Sequence, residues 1–177
     1  SAGFTHWAKL NNLKQAAKTM NFLTEHGISS YGELESKLTV VSARRDTAHA
    51  EIKRIESRSA ELTLVMKHAG TYRQLKPIYD RYRKSNDKEK FLRGHESEII
   101  LFEAAARELK RLGAVPLPTT ESMKTELTNL AAEKERLLAE YKAARTEAQE
   151  YETVKQNVDA LLTVPKEQEQ QRRYELE

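Results

Sequence analysis

The sequence predicts an all-α protein: a long antiparallel coiled coil of two arms, a small helical head at its tip and an N-terminal helix. Strand-forming residues are scarce, with 7 Val and 6 Ile among 177 residues, while Ala, Glu, Lys, Leu and Arg dominate. No Gly or Pro interrupts the chain between Glu33 and Ala69. Apolar residues recur there at alternating steps of four and three, which is the pattern of a coiled-coil helix.

The composition also excludes several kinds of protein. The chain has no cysteine, which rules out disulfides, thiolate metal sites and a cysteine nucleophile. No apolar run reaches the roughly 18 residues that span a bilayer, and no secretory signal pattern opens the sequence. We therefore expect a cytoplasmic chain without membrane insertion. A net charge of +3 is too small to indicate a nucleic-acid partner unless the charges cluster.

Residues 1–28 are predicted to form the N-terminal helix, with a left-handed C-cap at Gly27. Apolar residues recur at helical spacing and predict a buried face, which comprises Trp7, Leu10, Leu13 or Ala17, Met20 and Leu23. Trp7 heads this face and is expected to anchor the helix to the body of the domain. Docking of this helix on a neighbouring domain is the alternative interpretation.

Residues 29–70 are predicted to form the first arm of the coiled coil. Ser30 and Glu33 have the spacing of a capping box at its start, and Gly70 is expected to end it. Only Arg45 and Ser59 interrupt the apolar seam. It runs through Leu34, Leu38, Val41, Arg45, Ala48, Ile52, Ile55, Ser59, Leu62, Met66 and Ala69.

Residues 119–164 are predicted to form the second arm, capped by Thr119 or Thr120 and stopped by Pro165. Residues 165–177 form a polar tail without an apolar face. The second seam matches the first in length. It runs through Met123, Leu127, Leu130, Lys134, Leu137, Tyr141, Ala144, Ala148, Tyr151, Lys155, Val158 and Leu162.

Two matched seams in one chain most simply fold back on each other in antiparallel order. A register in which paired residue numbers sum to 196 joins Ala48 with Ala148 and Leu34 with Leu162. It also sets Arg45 against the Tyr151 face, where a cation–π contact is expected. The seams could instead pair between chains, which makes a homodimer a candidate assembly.

Residues 71–118 are predicted to form the basic helical head. One helix is expected to run from Pro77 to about Lys84, and a short one from an Asn86 cap to Arg93. A third, from about residue 96 to 112, has an apolar face that needs a partner. That face comprises Ile99, Phe102, Ala106 and Leu109.

The head carries the candidate nucleic-acid-binding site. Residues 71–93 include eight basic and three acidic residues, a local net charge of +5. Aromatic rings interleave with these cations, as they do in proteins that grip single-stranded nucleic acid. The predicted binding residues are Tyr72, Arg73, Lys76, Arg81, Arg83, Lys84, Lys88, Lys90 and Arg93. The alternative is that Tyr79 and Tyr82 pack on the helix that carries Phe102.

No catalytic or metal-binding pattern is present in the sequence. The five histidines are each 19 or more residues from the next, and no HxH, HExxH or acidic metal cluster occurs. We therefore predict no catalytic residue, no metal site and no cofactor. A tyrosine nucleophile in the head would lack an accompanying base or metal motif.

Three segments, HWAKLNNLKQAAKTMNFLTEHGI, TYRQLKPIYDRYRKSNDKEKFLRGHESEIILFEAAARELKRLG and ESMKTELTNLAAEKERLLAEYKAAR, resemble the C-terminal region of relaxase/mobilisation nucleases of conjugative transposons. The resemblance is one of extended sequence and element order rather than of a short motif. It implies a fragment of a larger enzyme whose N-terminal nuclease domain nicks the transfer origin and stays bound to the DNA end through a tyrosine. The nuclease motifs of that family do not occur here.

The resemblance and the basic segment together suggest a non-catalytic accessory domain of a conjugative relaxase. Its expected partners are transfer-origin DNA, the conjugation machinery or its coupling protein, and its own N-terminal nuclease domain. The alternative is a purely structural coiled-coil spacer or dimerisation module, which the two long seams favour.

Overall fold

The computed structural model describes the backbone of residues 2–174 and the side chains of residues 9–163, 173 and 174. It contains four helices over this range: α1 (Ala2–Glu25), α2 (Tyr31–Lys84), α3 (Lys88–Arg111) and α4 (Thr120–Tyr174). No strand occurs between residues 2 and 174, so the all-α prediction is confirmed. None of these described helices is both long and apolar enough to cross a membrane.

The chain divides into two compact units. Unit 1 comprises residues 1–49 and 138–177, and unit 2 comprises residues 50–137. Unit 1 contains α1, while unit 2 contains α3, and α2 and α4 contribute to both. The boundaries of the five segments predicted from the sequence stay predictions.

The core of unit 1 forms where the end of α1 meets α2 and α4. Its buried residues are Ile28, Leu34, Val41, Ala148, Tyr151 and Val154. The Phe22 ring meets the Tyr151 ring edge-on, with centroids 5.1 Å apart. Leu34 is 1 % exposed, whereas Leu162 is 59 % exposed, so the predicted Leu34 and Leu162 core layer is wrong. Leu34 packs instead in the cluster that Phe22 and Ile28 join.

The connection between α1 and α2 follows the capping prediction closely. Gly27 has a φ of +63°, and the Ile28 amide donates to the Leu23 carbonyl at 2.9 Å, which completes a Schellman cap. The Glu33 amide donates to Ser30 Oγ at 3.2 Å. The Glu33 carboxylate accepts a hydrogen bond from the Ser29 amide at 2.7 Å. A capping box would have placed that bond on the Ser30 amide, one residue later.

Polar contacts flank the core of unit 1. Tyr31 donates to Asp159 at 2.7 Å. Arg44 pairs with Glu147 at 3.3 Å. Arg45 pairs with Asp46 at 3.0 Å and with Glu152 at 3.8 Å. The predicted cation–π contact between Arg45 and Tyr151 is therefore wrong, because carboxylates bind the guanidinium and the Tyr151 ring lies against Phe22 and His26.

Helix α1 presents most of its predicted buried face outwards, although Leu23 packs against the core of unit 1 as predicted. Leu10, Leu13 and Met20 are 46 %, 67 % and 59 % exposed, whereas Thr19 is 2 % exposed. Thr19 accepts a hydrogen bond from Asn157 Nδ2 at 3.3 Å. The side of α1 that faces α4 is therefore mixed in polarity, with Thr19 beside the ring of Phe22. The side chain of Trp7, the predicted anchor, lies outside the described residues.

The interior of unit 2 draws on all three of its helices. Buried residues come from α2 (Ile52, Ile55, Leu62, Val65 and Ala69), α3 (Ile99, Phe102, Ala105 and Leu109) and α4 (Met123, Leu130 and Leu137). Most of the predicted seam positions in this unit are therefore buried, whereas Met66 and Leu127 are half-buried and the buried Val65 lies outside the predicted seam. On α3, Ala105 takes the buried position predicted for Ala106.

Two ion pairs join α2 to α4 beside the buried residues of unit 2. Arg58 binds Glu126 at 2.7 Å, and the hydrogen bond that Arg58 donates to Glu126 raises the pKa of Arg58. Lys134 binds Glu56 at 3.1 Å, which lowers the pKa of Glu56. Lys134 thus occupies its predicted seam position by pairing with a carboxylate at the edge of the core.

Helix α2 continues through two positions that were expected to interrupt it. It passes Gly70 and Pro77 and ends at Lys84, so neither an arm ending at Gly70 nor a separate helix starting at Pro77 exists. A proline inside a helix removes one backbone hydrogen bond, at a cost of about 3 kcal/mol. Tertiary contacts on both sides of Pro77, from Tyr72 and Tyr79 to Phe102, hold the helix together.

The ends of α3 and α4 depart from the predictions in three places. Asp87 rather than Asn86 caps α3 and accepts from the Lys90 amide at 3.0 Å. The predicted break near Gly94 is a kink within α3, where His95 has non-helical angles. Helix α4, capped by Thr119 as expected, passes Pro165 and ends at Tyr174. Residues 175–177 of the predicted tail lie outside the described residues.

Two glycines of unit 2 should respond oppositely to alanine. Gly70 lies inside α2 with nothing within 4 Å of an added Cβ, so Gly70→Ala should stabilise the protein by about 0.5–1 kcal/mol. Gly113 has a φ of +69°, so Gly113→Ala should destabilise it by about 1–2 kcal/mol. Urea denaturation measures both. Equal effects of the two substitutions would contradict the assigned backbone conformations.

The Glu33 cap should make stability depend on pH. Its hydrogen bond from the Ser29 amide lowers the pKa of Glu33. A lowered folded-state pKa stabilises the protein above the unfolded-state value, about 4.3, and this contribution disappears as pH falls through the folded-state value. Glu33→Gln should therefore destabilise the protein at pH 7 but not at about pH 2–3. Denaturant unfolding at both pH values measures this. An undiminished difference at acid pH would contradict the cap.

Candidate nucleic-acid interface

A three-residue turn joins α2 to α3 in unit 2. The Ser85 amide donates to the Tyr82 carbonyl at 3.2 Å, and Ser85 Oγ donates to the Asp87 carbonyl at 3.0 Å. The Asp87 side chain in turn caps α3. Because these bonds close the turn, the last residues of α2 and the first residues of α3 are held close together.

Six exposed basic side chains surround this turn. We call them the cation cluster: Arg81, Arg83, Lys84, Lys88, Lys90 and Arg93. Within the described part of the chain, none of the six forms an ion pair. The only acidic residues between positions 81 and 93 are Asp87 and Glu89. Asp87 is already engaged as the cap of α3, which leaves a concentrated positive charge on an exposed surface.

The local electrostatics of this cluster is partly unfavourable. Arg81, Arg83 and Lys84 lie in the last turn of α2, where the helix dipole favours cations. Lys88 and Lys90 lie at the start of α3, where the dipole disfavours them. These lysines are repelled both by the positive end of the α3 dipole and by the neighbouring cations. A bound anion would reduce both repulsions. The arrangement is therefore suited to a polyanion.

Three predicted site residues are already engaged inside the unit. Arg73 donates to the Pro118 carbonyl at 2.6 Å and to Thr120 Oγ1 at 2.7 Å. Lys76 pairs with Asp80 at 2.8 Å, and that hydrogen bond raises the pKa of Lys76. Tyr72 stacks on Phe102 with centroids 4.7 Å apart. These residues hold the unit together beside the cation cluster.

Phe102 lies between two tyrosines of α2. Tyr79 stacks on it with centroids 4.2 Å apart and an interplanar angle of 22°, and Tyr72 stacks at 26°. The two tyrosines are seven residues apart, about 10.5 Å along the helix axis, which leaves room for one ring between them. The packing interpretation of Tyr79 is therefore confirmed, and these two rings are occupied by Phe102.

The cation cluster adjoins a second group of rings that sequence reasoning missed. Tyr82 lies 6.2 Å from Phe91, and Phe91 lies 4.6 Å from His95, between ring centroids. His95 Nδ1 is 2.7 Å from a Glu98 carboxylate oxygen. The spacing of Phe91 and His95, four residues apart on α3, was the signal that could have identified them.

An open cavity of about 300 Å³ lies beside these rings. It is lined by Ser85, Asp87, Lys90, Phe91, Gly94 and His95. Among the described residues, no group of three or more His, Cys, Asp or Glu could hold a metal ion. The chemistry that the described side chains offer here is therefore electrostatic binding of an anion, with a half-buried aromatic edge nearby.

The sequence matches no family model, and neither a curated protein nor a solved structure matches it.

Proposed function

We propose that this chain is a non-catalytic accessory region of a conjugative relaxase that binds DNA through the cation cluster. The observation that carries the proposal is the set of six exposed cations without ion-pair partners around one three-residue turn. Arg and Lys side chains in such an arrangement contact successive phosphates of a nucleic-acid backbone. If all six contacted duplex phosphates, binding would fall with salt at a logarithmic slope of about −5.

Phosphate contacts position a protein on DNA but do not read its sequence. Tyr72 and Tyr79 each turn one face to Phe102 and are half-buried, so neither ring is fully open to stack on a base. We therefore propose backbone binding with little sequence preference. Recognition of a particular transfer-origin sequence would belong to another part of the protein.

The sequence resemblance supports the relaxase assignment of the proposal. The three segments that carry it include the whole cation cluster, within residues 71–113. They also extend into α1 and α4. On this proposal the chain works beside an N-terminal nuclease domain, and its further partners are the coupling protein or another part of the conjugation machinery.

We further propose that α2 and α4 pair as an antiparallel coiled coil in each unit. In unit 2, Glu56 binds Lys134 and Arg58 binds Glu126, so later residues of α2 meet earlier residues of α4. In unit 1, Tyr31 and Arg44 bind Asp159 and Glu147 in the same order. These contacts support opposite helix directions, while the register stays a prediction.

Neutralising one side of the cation cluster should weaken DNA binding. The variant Arg81→Gln/Arg83→Gln/Lys84→Gln should lose three phosphate contacts, since all three residues are exposed. Its affinity for a duplex should fall at least about tenfold at about 50 mM salt, and the salt slope should flatten by about 3. Fluorescence anisotropy with labelled duplex and single-stranded DNA over a range of salt concentrations measures both changes.

A matched variant controls for net charge. Lys124→Gln/Lys142→Gln/Arg145→Gln removes the same number of exposed cations from α4. This variant should bind DNA within about threefold of the unaltered chain. Equal losses in the two variants would show that only net charge matters. Absence of salt-sensitive binding by the unaltered chain would remove the DNA part of the proposal.

The second candidate function is a structural spacer, and the observation that favours it is the length of α2 and α4. They contain 54 and 55 residues, more than an ordinary compact domain requires. Most of the seam residues are buried within one chain, so the spacer should be monomeric. Light scattering over a hundredfold concentration range should give the mass of one chain, about 20.3 kDa. A mass that doubles with concentration would instead support a dimerisation module.

A further inference from the structure

Helix α1 turns a row of apolar residues towards solvent rather than towards α4. The residues that turn towards α4 include Thr19, which is 2 % exposed, and Gln15, which lines a groove with Asn157. The opposite side carries an exposed apolar row. We call this row the outward seam: Leu10, Leu13, Ala17 and Met20. Burial of apolar surface within the chain therefore does not account for the apolar character of these residues.

The inward side of α1 is apolar only at its C-terminal end, where Phe22 and Leu23 pack against the core of unit 1; Thr19 and Gln15 lie one and two turns earlier. An open groove of about 510 Å³ is lined by residues of α1 and α4 in unit 1. Its lining includes Lys18, Thr19, Gln149 and Asn157. A helix that only had to cover α4 would be expected to place its apolar row there. The arrangement keeps the apolar row available at the surface.

The spacing of the outward seam indicates the shape of what covers it. Its members follow one another at steps of three, four and three, which is the a and d spacing of a heptad helix. Such a row is narrow, and it fits between the side chains of one partner helix. A helix that lies in a bilayer surface needs a wider apolar face. The spacing therefore favours a helical protein partner over a membrane.

The charges beside the seam indicate the chemistry of that partner. In the heptad numbering that places Leu10 at a, Lys9 occupies g and Lys14 occupies e, the positions that pair across a coiled coil. Lys18 lies instead at the groove towards α4, and residues 1–24 contain no Asp or Glu. Within the described part of the chain, none of the three lysines forms an ion pair. A second copy of α1 would set lysine against lysine.

We propose that the outward seam binds an amphipathic helix of another protein whose apolar row is flanked by Asp and Glu. Leu10, Leu13 and Met20 would enter the partner's apolar row, and Lys9 and Lys14 would pair with its carboxylates. The site is independent of the cation cluster, since it uses α1 of unit 1 only.

Two synthetic three-heptad peptides test this proposal against the full chain. Both have Ile at a and Leu at d; the acidic peptide has Glu at e and g, and the basic peptide has Lys there. Fluorescence anisotropy at about 50 mM salt should show the acidic peptide binding at least about tenfold more tightly than the basic one. Leu13→Gln/Met20→Gln, at two exposed positions, should weaken acidic-peptide binding at least about tenfold.

Two further variants distinguish binding at the outward seam from capture of the acidic peptide by basic residues elsewhere on the chain. Lys9→Glu/Lys14→Glu should reverse the preference between the peptides, because it exchanges the flanking charges. Arg81→Gln/Arg83→Gln/Lys84→Gln should leave acidic-peptide binding unchanged, which excludes capture by the cation cluster. Circular dichroism should show unchanged helix content in all variants.

Several outcomes would overturn the proposal. These are equal binding of both peptides, no binding of either, or acidic-peptide binding that survives Leu13→Gln/Met20→Gln. Sedimentation with vesicles of roughly one-third anionic lipid that depends on Leu13 and Met20, without acidic-peptide binding, would assign the seam to a membrane surface. Self-association abolished by Leu13→Gln/Met20→Gln would assign it to a second copy.

Discussion

The stacking of Phe102 between Tyr72 and Tyr79 is the contact on which the cation cluster depends. It joins α3 to α2 at two points on either side of Pro77, so it supports both the continuity of α2 and the seating of α3. Offset-stacked rings add about 0.5–1.5 kcal/mol per pair beyond the area that they bury. The turn at residues 85–87 lies between the two helices that this contact joins, so the backbone segments that carry the basic side chains are held close together.

Seam positions could be predicted because a helix repeats its environment every three to four residues. Residues such as Ile55 and Ala144 are fully buried, and their spacing alone indicates this. The passage of α2 through Gly70 and Pro77 could not be predicted in this way, because local propensity opposes it and contacts distant in sequence support it. The outward orientation of α1 was also missed: periodicity locates an apolar row but does not say whether the same chain covers it.

The sequence predicted which basic residues lie in the candidate site, but not which of them are exposed and which bind other parts of the chain. Arg81, Arg83 and Lys84 are exposed as expected. Arg73 belongs to the same basic run, yet it binds the chain that precedes α4. Sequence spacing cannot distinguish an arginine bonded to a backbone carbonyl from one exposed to solvent, because the difference arises from contacts between residues distant in the sequence. The aromatic residues differ in the same way: Tyr79 packs on Phe102, whereas Phe91 and His95 contact each other beside the cation cluster.

The short connection between α2 and α3 has a thermodynamic consequence. Basic residues on a disordered tail lose conformational entropy each time they engage a polyanion. Here the three residues of the turn are hydrogen-bonded to one another and to the helix ends. The backbone of this segment therefore loses its conformational entropy when the protein folds, not when the ligand binds. A ligand therefore encounters charges already spaced along two helix termini, and the length and curvature of that row set which polyanions fit it.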